Sequence, residues 1–571
     1  PNYAARAGQF GMTLQSRNGR GNLRRALAVL KLATEAPTSG VESRLWAALD
    51  YARLLGHFER PTEALAVYAQ CVQQFLPILV WRGLDRGSQQ RHLRQVAGLA
   101  SEAAAMALIC ERPRVAVQLL EQGRSVLWAQ LLETRSDRTR LQDSFPELAA
   151  EFDKVCAVLD SRDDMGLGGL PTETAMSEAA SAASETDRRR RAADRFTELR
   201  DRIRGLPGFT DFLTPPGFAD LQQAASDGPV VIINVSHLRC DAIVMTADNI
   251  QVLPLPGLTE VEASRRAEVF QQACDAGAVD LGTRITATQT ILATLEWLWA
   301  TTAEPALRAL DGHGRIWWYP TGPLAALPLH AAGLHRRGAS GDWVGDHAVS
   351  SYTSTLQALL RSRTAPSAEP SDRVLAVGMA STPRPDGSHD DLPAVPAELS
   401  ALTDSYGDRL TVLADDTATR AAVLDALPDH PAVHLACHGL QDPDDPSASR
   451  LALHDGDLTL LDVVRAQRAP AELAVLSACQ TARGDAELAD EAIHLAAAFQ
   501  LIGYRNVIGT LWNMRDAAAP DLARVVHRAV AANPTADTAT ALHEAVTELR
   551  RNPAFASPAV WAPYVHFGPG R

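Results

Sequence analysis

Two apolar runs in this chain end in groups that can do covalent chemistry. Ala432-Val-His-Leu-Ala-Cys437 leads into His438-Gly439, and Leu473-Ala-Val-Leu-Ser-Ala478 leads into Cys479, 479 − 438 = 41 residues after the histidine. Both runs read as buried strands of a parallel sheet, where reactive groups collect beyond the carboxyl ends. A thiol attacks a carbonyl as thiolate, and a neighbouring imidazole can take its proton. Side by side, the two strands would present His438 as base and Cys479 as nucleophile of an acyl transfer. Gly439 lets a peptide carbonyl approach, and its N–H, with that of Cys479, can hold the oxyanion. The interval is long enough for the crossover that parallel neighbours require.

The same side chains admit other readings. His434, Cys437, His438 and Cys479 are all metal ligands by type. Strand alternation turns Cys437 to the opposite face, and no CxxC or helical HxxxH spacing accompanies them, so no metal is expected. The acyl-transfer reading calls for no cofactor either. A Cys437–Cys479 disulfide fits neighbouring strands but not a reducing compartment. His434 lies two pleats before His438 on the same face, and is expected to support it as a hydrogen-bonded core partner. Cys437 reads as a small buried hydrophobe.

Positioning such groups takes a folded scaffold, and the composition supplies one. The chain has 571 residues, 46% hydrophobic and 21% charged, with a formal net charge of −14. That length implies three or four domains with real cores, and the apolar fraction excludes disorder throughout. The acidic balance argues against a nucleic-acid partner. No apolar run approaches the ~20 residues that cross a bilayer. Seven cysteines, an odd number without CxxC pairs, fit a reducing, cytoplasmic setting. No signal peptide is visible, and the start at Pro1 leaves the natural N-terminus open. Apart from Lys31 and Lys154 every basic side chain is arginine, which points to a GC-rich, bacterial coding sequence.

Residues 1–160 read as successive helices. Asn22–Leu30, Pro61–Tyr68 and Pro113–Leu120 share a small residue followed by a large one: Ala26/Leu27, Ala64/Leu65 and Ala116/Val117. The offsets, 64 − 26 = 38 and 116 − 64 = 52, are irregular beside the ~34 of a tetratricopeptide repeat (TPR), so these resemble degenerate TPR-type hairpins. An ordinary helical domain is the alternative. Residues 161–206 read as a Gly- and Ser-rich linker, then a charged helix opening with Arg188–Arg191, whose run reads as a solvated face. From 207 onward strands and helices alternate, with apolar runs at Val230–Val235, Ala242–Thr246, Ile250–Leu255, Arg315–Tyr319 and Val374–Gly378 before the two already named, and Asn506–Trp512 after them. That alternation predicts a mostly parallel sheet flanked by helices. Trp297, Trp299, Trp317 and Trp318 are expected in the core.

The blocks His-Leu-Ala-Cys-His438-Gly439 and Leu476-Ser-Ala-Cys479-Gln-Thr-Ala-Arg-Gly484 closely resemble the two active-site blocks of CHAT-domain peptidases. These are relatives of caspases and separase that often follow TPR-like repeats. Trp318–Pro328, Leu392-Pro-Ala-Val-Pro-Ala-Glu398, Gly509-Thr-Leu-Trp-Asn-Met-Arg-Asp516 and Trp561–Gly568 are similar to further segments of that family, in the same order. Ala482 departs from the glycine that many members carry.

The resemblance implies an N-terminal all-α region of TPR-like hairpins followed by a caspase-like α/β module. Residues 207–345 would be its degenerate half and residues 346–571 its active half. It further implies a cysteine endopeptidase with His438 and Cys479 as its dyad. Asp516 would line the S1 pocket facing a P1 arginine, a pairing that a planar guanidinium makes bidentate. A protein substrate and a regulatory partner on the helical region complete the expectation, in stress response, defence or cell death. The rivals are a catalytically silent scaffold and a small-molecule cysteine hydrolase. Arg188–Arg191 is also a conceivable self-cleavage segment.

Overall fold

The computed structural model describes residues 20–570 except for intervening stretches, the longest being 127–139, 160–174, 365–372, 441–448, 464–470 and 482–494; residues 479–480 are also outside it. The chain divides into two compact units, Pro1–Gly217 and Phe218–Arg571.

The first unit is helical. Arg20–Glu35 packs on Val41–His57, which packs on Pro61–Gln70; that helix meets Leu99–Ile109, whose hairpin partner is Pro113–Gly123. Ala26, Ala64 and Ala116 are fully buried, as close helix packing requires. Two of the turns are the same device repeated. Glu59 and Glu111 stand at φ 55° and 56°, each followed by Arg-Pro with the proline opening the next helix. The Arg60 N–H donates to the Leu55 carbonyl and the Arg112 N–H to that of Ala107, the six-to-one bond of a left-handed helix terminus. Such a terminus normally takes glycine, so the repeat was not visible as a turn signal. Between the hairpins, Arg53 forks onto the buried Glu102 carboxylate, which also accepts from the Tyr68 hydroxyl at 2.9 Å.

The arginine run requires a correction. It does not open a helix but lies within one, Ala175–Arg204, and Arg189 is buried, donating to the Leu159 carbonyl at 2.7 Å. Only Arg188, Arg190 and Arg191 form the solvated face. A helix holds its peptide bonds away from the extended form a protease binds. The sequence expected for a linker, 161–174, lies outside the described residues.

The second unit is built on one sheet. Its strands are β1 (Val230–Asn234), β2 (Asp241–Met245), β3 (Ile250–Pro254), β4 (Arg315–Pro320), β5 (Val349–Tyr352) and β6 (Val374–Gly378). They continue as β7 (Leu410–Ala414), β8 (Ala432–Ala436), β9 (Ala471–Ser477), β10 (Tyr504–Thr510) and β11 (Tyr564–Phe567). The order is β3-β2-β1-β4-β5-β11-β10-β9-β8-β6-β7. Among the described residues only β1–β2, β2–β3 and β10–β11 are antiparallel, so the sheet is mostly parallel. The halves expected at 207–345 and 346–571 thus share a single sheet, joined where β4 pairs with β5. β5 and β7 are additions to the sequence reading. β5 is a short polar strand, and β7, although apolar at Leu410, Val412, Leu413 and Ala414, is a half-exposed edge interrupted by Thr411.

Helices α1 (Glu260–Ala276) and α2 (Leu281–Leu298) pack together, and α3 (Val395–Tyr406) lies on α4 (Ala519–Ala532), which meets α5 (Thr538–Arg551). α3 also covers the end of β6. Gly378 makes this possible, because a Cβ there would stand 2.7 Å from a Leu399 methyl and 2.9 Å from Val395. Trp299, Trp317 and Trp318 are buried as expected; Trp297 is half-buried, with the Arg266 guanidinium over its ring. No helix among the described residues is long and apolar enough to cross a membrane.

Candidate active site

β8 is flanked on both sides by parallel strands, β6 and β9, so its backbone is fixed by two ladders. Against β9 the register runs Ala432↔Leu473 through Ala436↔Ser477. Beyond the strand, Cys437 is buried and the chain is caught again, since the His438 carbonyl accepts the Ala452 N–H at 2.9 Å. Gly439–Leu440 then pairs antiparallel with Arg450–Ala452. Hydrogen-bonded pairs alternate along such a ladder. His438 and Ala452 form one of them, so Gly439 and Leu451 are the pair whose N–H groups point away. The His438 imidazole is half-buried, and its Nε2 atom has no hydrogen-bond partner among the described residues.

Cys479 and Gln480 lie outside the described residues; Ala478 and Thr481, which flank them, do not. Thr510, the last residue of β10, is fully buried and holds both. Its hydroxyl donates to the Ala478 carbonyl at 2.6 Å, and its N–H donates to the Thr481 hydroxyl at 2.9 Å. The Thr481 N–H returns to the Thr510 hydroxyl at 3.4 Å. Neither threonine was singled out from the sequence, although both stand inside quoted blocks, Cys479-Gln-Thr481 and Gly509-Thr510-Leu-Trp512. A threonine in a strand-like run reads as β-propensity until its partner is known.

Asp516 opens the turn that leads into α4, but it does not cap that helix. Its carboxylate accepts the Ala394 N–H at 2.9 Å, at the start of α3. The half-buried carboxyl is pushed above the usual carboxylate range by burial. The Ala394 N–H opposes the rise, the Glu398 carboxylate adds to it, and His438 opposes it. Asp516 therefore shares a neighbourhood with both His438 and Glu398.

Behind this group runs a buried polar chain. His434 Nε2 stands 3.0 Å from Glu398 Oε2, His434 Nδ1 3.0 Å from His527 Nε2, and His527 Nδ1 3.0 Å from the Tyr406 hydroxyl. Glu398 and His434 are 1% and 0% exposed, so neither carboxylate nor imidazole has water to turn to. For an ionised Glu398 and two neutral imidazoles, one proton arrangement satisfies every bond: Tyr406 O–H donates to His527, His527 Nε2–H to His434, and His434 Nε2–H to Glu398. Burial, with His434 beside it, holds the His527 pKa well below the ordinary imidazole range, and burial raises that of Tyr406. The expectation that His434 is a hydrogen-bonded core partner is met, with partners that sequence distance concealed. Among the described residues no group of three or more His, Cys, Asp or Glu side chains is arranged to hold a metal ion.

Residues 292–569 match the family model described as the CHAT domain. Among curated proteins no sequence match was found. Solved structures with a similar chain course include separase in the Saccharomyces cerevisiae separase–securin complex, with 10% identity and a TM-score of 0.45 over 96% of this chain and 51% of that one. Gingipain R, an Arg-specific cysteine proteinase, matches with 11% identity and a TM-score of 0.32 over 53% of this chain and 73% of its own. A complex of the pro- and mature domains of RgpB from Porphyromonas gingivalis matches with 10% identity and a TM-score of 0.32 over 54% of this chain and 76% of that one. The chain spans about half the length of the separase chains it matches. The family-model match and the blocks around His438 and Cys479 fall on the same half of the chain, and residues 292–569 are similar to a CHAT domain.

Proposed function

We propose that the chain is a cysteine endopeptidase in which Cys479 is the nucleophile and His438 the base. The observation that carries this reading is the register of β8 on β9. The paired residues differ by 477 − 436 = 41, the same interval that separates His438 from Cys479. Both residues follow their strands by two positions, so the register favours their meeting at one lip of the sheet. His438 Nε2, without a hydrogen-bond partner among the described residues, suits a base awaiting a proton. The Gly439 N–H, turned away from its ladder, suits an oxyanion donor, and Thr510 suits a clamp on the turn that bears the thiol.

In the reaction the thiolate of Cys479 attacks the scissile carbonyl after His438 takes its proton. His438 then protonates the leaving amine, and water releases the acyl group with the same imidazole as base. Asp516 is the candidate partner of a basic P1 side chain, with arginine preferred over lysine because its fork matches a carboxylate. The helical unit is the candidate site for a regulatory protein, in a bacterial stress, defence or cell-death setting. A scan of peptides varied at P1 tests the reading. The wild type should cleave after arginine, Cys479→Ala and His438→Ala should each lose about 10³-fold or more in kcat, and Asp516→Ala should lose the arginine preference. If no peptide is cleaved and Cys479 alkylates no faster than the other cysteines, the chain is a silent scaffold.

A further inference from the structure

The mechanism just outlined leaves one feature of the second unit without employment, the buried chain Glu398–His434–His527–Tyr406. A carboxylate and two imidazoles in a dry interior are costly, and apolar residues would fill the space at no such cost. α3 leads back to what Glu398 does. Ala394, whose N–H binds Asp516, lies 398 − 394 = 4 residues before Glu398, so both sit on one face of the helix start. Helical side chains lean toward the N-terminus, which carries the Glu398 carboxylate back toward Asp516. Burial is the main cause of the raised proton affinity of Asp516, and the Glu398 carboxylate adds to it. His434 holds Glu398 from below at 3.0 Å, and His527 and Tyr406 fix the imidazole in turn. Strand β8 carries both His434 and, four residues on, His438.

We propose that Glu398 is a positioning residue for substrate choice: held in place by the His434–His527–Tyr406 chain, its buried carboxylate adds a second negative charge behind Asp516, so that the site accepts a cationic side chain and rejects its neutral isostere. Asp516 alone could bind a neutral donor by hydrogen bonding. Two carboxylates close together, one of them in a medium of low dielectric, favour a guanidinium over an uncharged urea of the same shape. This deepens the peptidase reading and rests on it for the identity of the substrate, not for the presence of a cation site.

The test uses the full chain and two readouts. Matched peptides with arginine or citrulline at P1 give kcat/KM for each, and calorimetry gives the affinity for agmatine, a guanidinium probe that needs no turnover. Glu398→Gln keeps the shape and an acceptor for His434. It should reduce the arginine-to-citrulline ratio about tenfold, mainly through KM for arginine; agmatine should bind about tenfold more weakly. A merely structural role would lower both substrates together. An unchanged ratio with unchanged agmatine affinity overturns the proposal while leaving the peptidase reading intact. If the wild type cleaves nothing, the peptidase reading fails and agmatine alone decides the proposal: weaker binding by Glu398→Gln supports it, and no binding by the wild type overturns it. Should Glu398→Gln fail to fold, Glu398→Asp withdraws the charge by one methylene. A two- to threefold loss in the same ratio is then expected, on the order of what ~1.5 Å costs at this dielectric, and no loss overturns the proposal.

Discussion

Thr510 is the residue whose role sequence reading passed over and whose geometry says most. With bonds of 2.6 and 2.9 Å to Ala478 and Thr481, it fixes the backbone on either side of the proposed nucleophile. Displacement of a reacting atom by a fraction of an ångström is expensive in rate, whereas one buried hydrogen bond contributes about 1 kcal/mol to stability. Thr510→Val keeps the volume, removes the hydroxyl and leaves the Ala478 carbonyl without its donor. We expect kcat to fall about 10²-fold with a melting temperature a few degrees lower, and Thr510→Ser to recover most of the activity. Equal activity in Thr510→Val and wild type, measured on the best peptide, would show that the clamp is structural only. Gly439, His438 and Cys479 were legible as types and spacing. The Thr510 clamp was not, because it joins residues 29 to 32 positions apart in sequence.

At the scale of elements, each unit shows what local sequence can and cannot specify. The three helical segments singled out by a small residue before a large one do pack through that small residue. The left-handed turns at Glu59 and Glu111 were invisible because glutamate is not a turn residue. Both hold a β-carbon in a backbone region that suits glycine. Relief of that strain should exceed the extra freedom glycine gives the unfolded chain. Glu59→Gly and Glu111→Gly are therefore each expected to stabilise the helical unit by about 0.5–1 kcal/mol, seen as a rise in melting temperature; a fall would mean the side chains themselves carry a contact. In the second unit, α3 is the element that ties the site together. The residue before it, Ala394, meets Asp516, its first turn carries Glu398, its end carries Tyr406, and Gly378 lets it lie on the sheet. Its own sequence announces a helix after a Leu-Pro turn and nothing of these four attachments.

Across the whole molecule the second unit buries a set of neutral imidazoles. Burial lowers His330 to about 3 and His335 to about 4, and burial with the Arg315 charge lowers His566 to about 3; burial, with His434 beside it, also holds His527 well below the ordinary range. A histidine with a folded-state pKa depressed below the ordinary 6.5 binds fewer protons folded than unfolded. Its contribution is complete above pH 6.5 and is lost as the pH falls toward 3 or 4, at up to about 1.4 kcal/mol per pH unit for each group. Asp537, lowered by Arg315, acts in the same direction. Melting temperatures at pH 7, 5.5 and 4.5 should fall steadily, and a flat series would mean these imidazoles are already charged. The sequence by itself determined the helical first part, the sheet-forming runs and the two candidate reacting residues, because apolar periodicity and strand-end placement are properties of a few neighbouring positions. Only the tertiary structure decided that the strands carrying the two residues are neighbours with a register of 41. It alone decided that Asp516 binds the N–H of Ala394, 122 residues earlier in the chain, and that His434 answers to Glu398 and His527. Those are choices of partner among many residues of the same type, and they are made by which faces can pack together, a quantity no local stretch of chain contains.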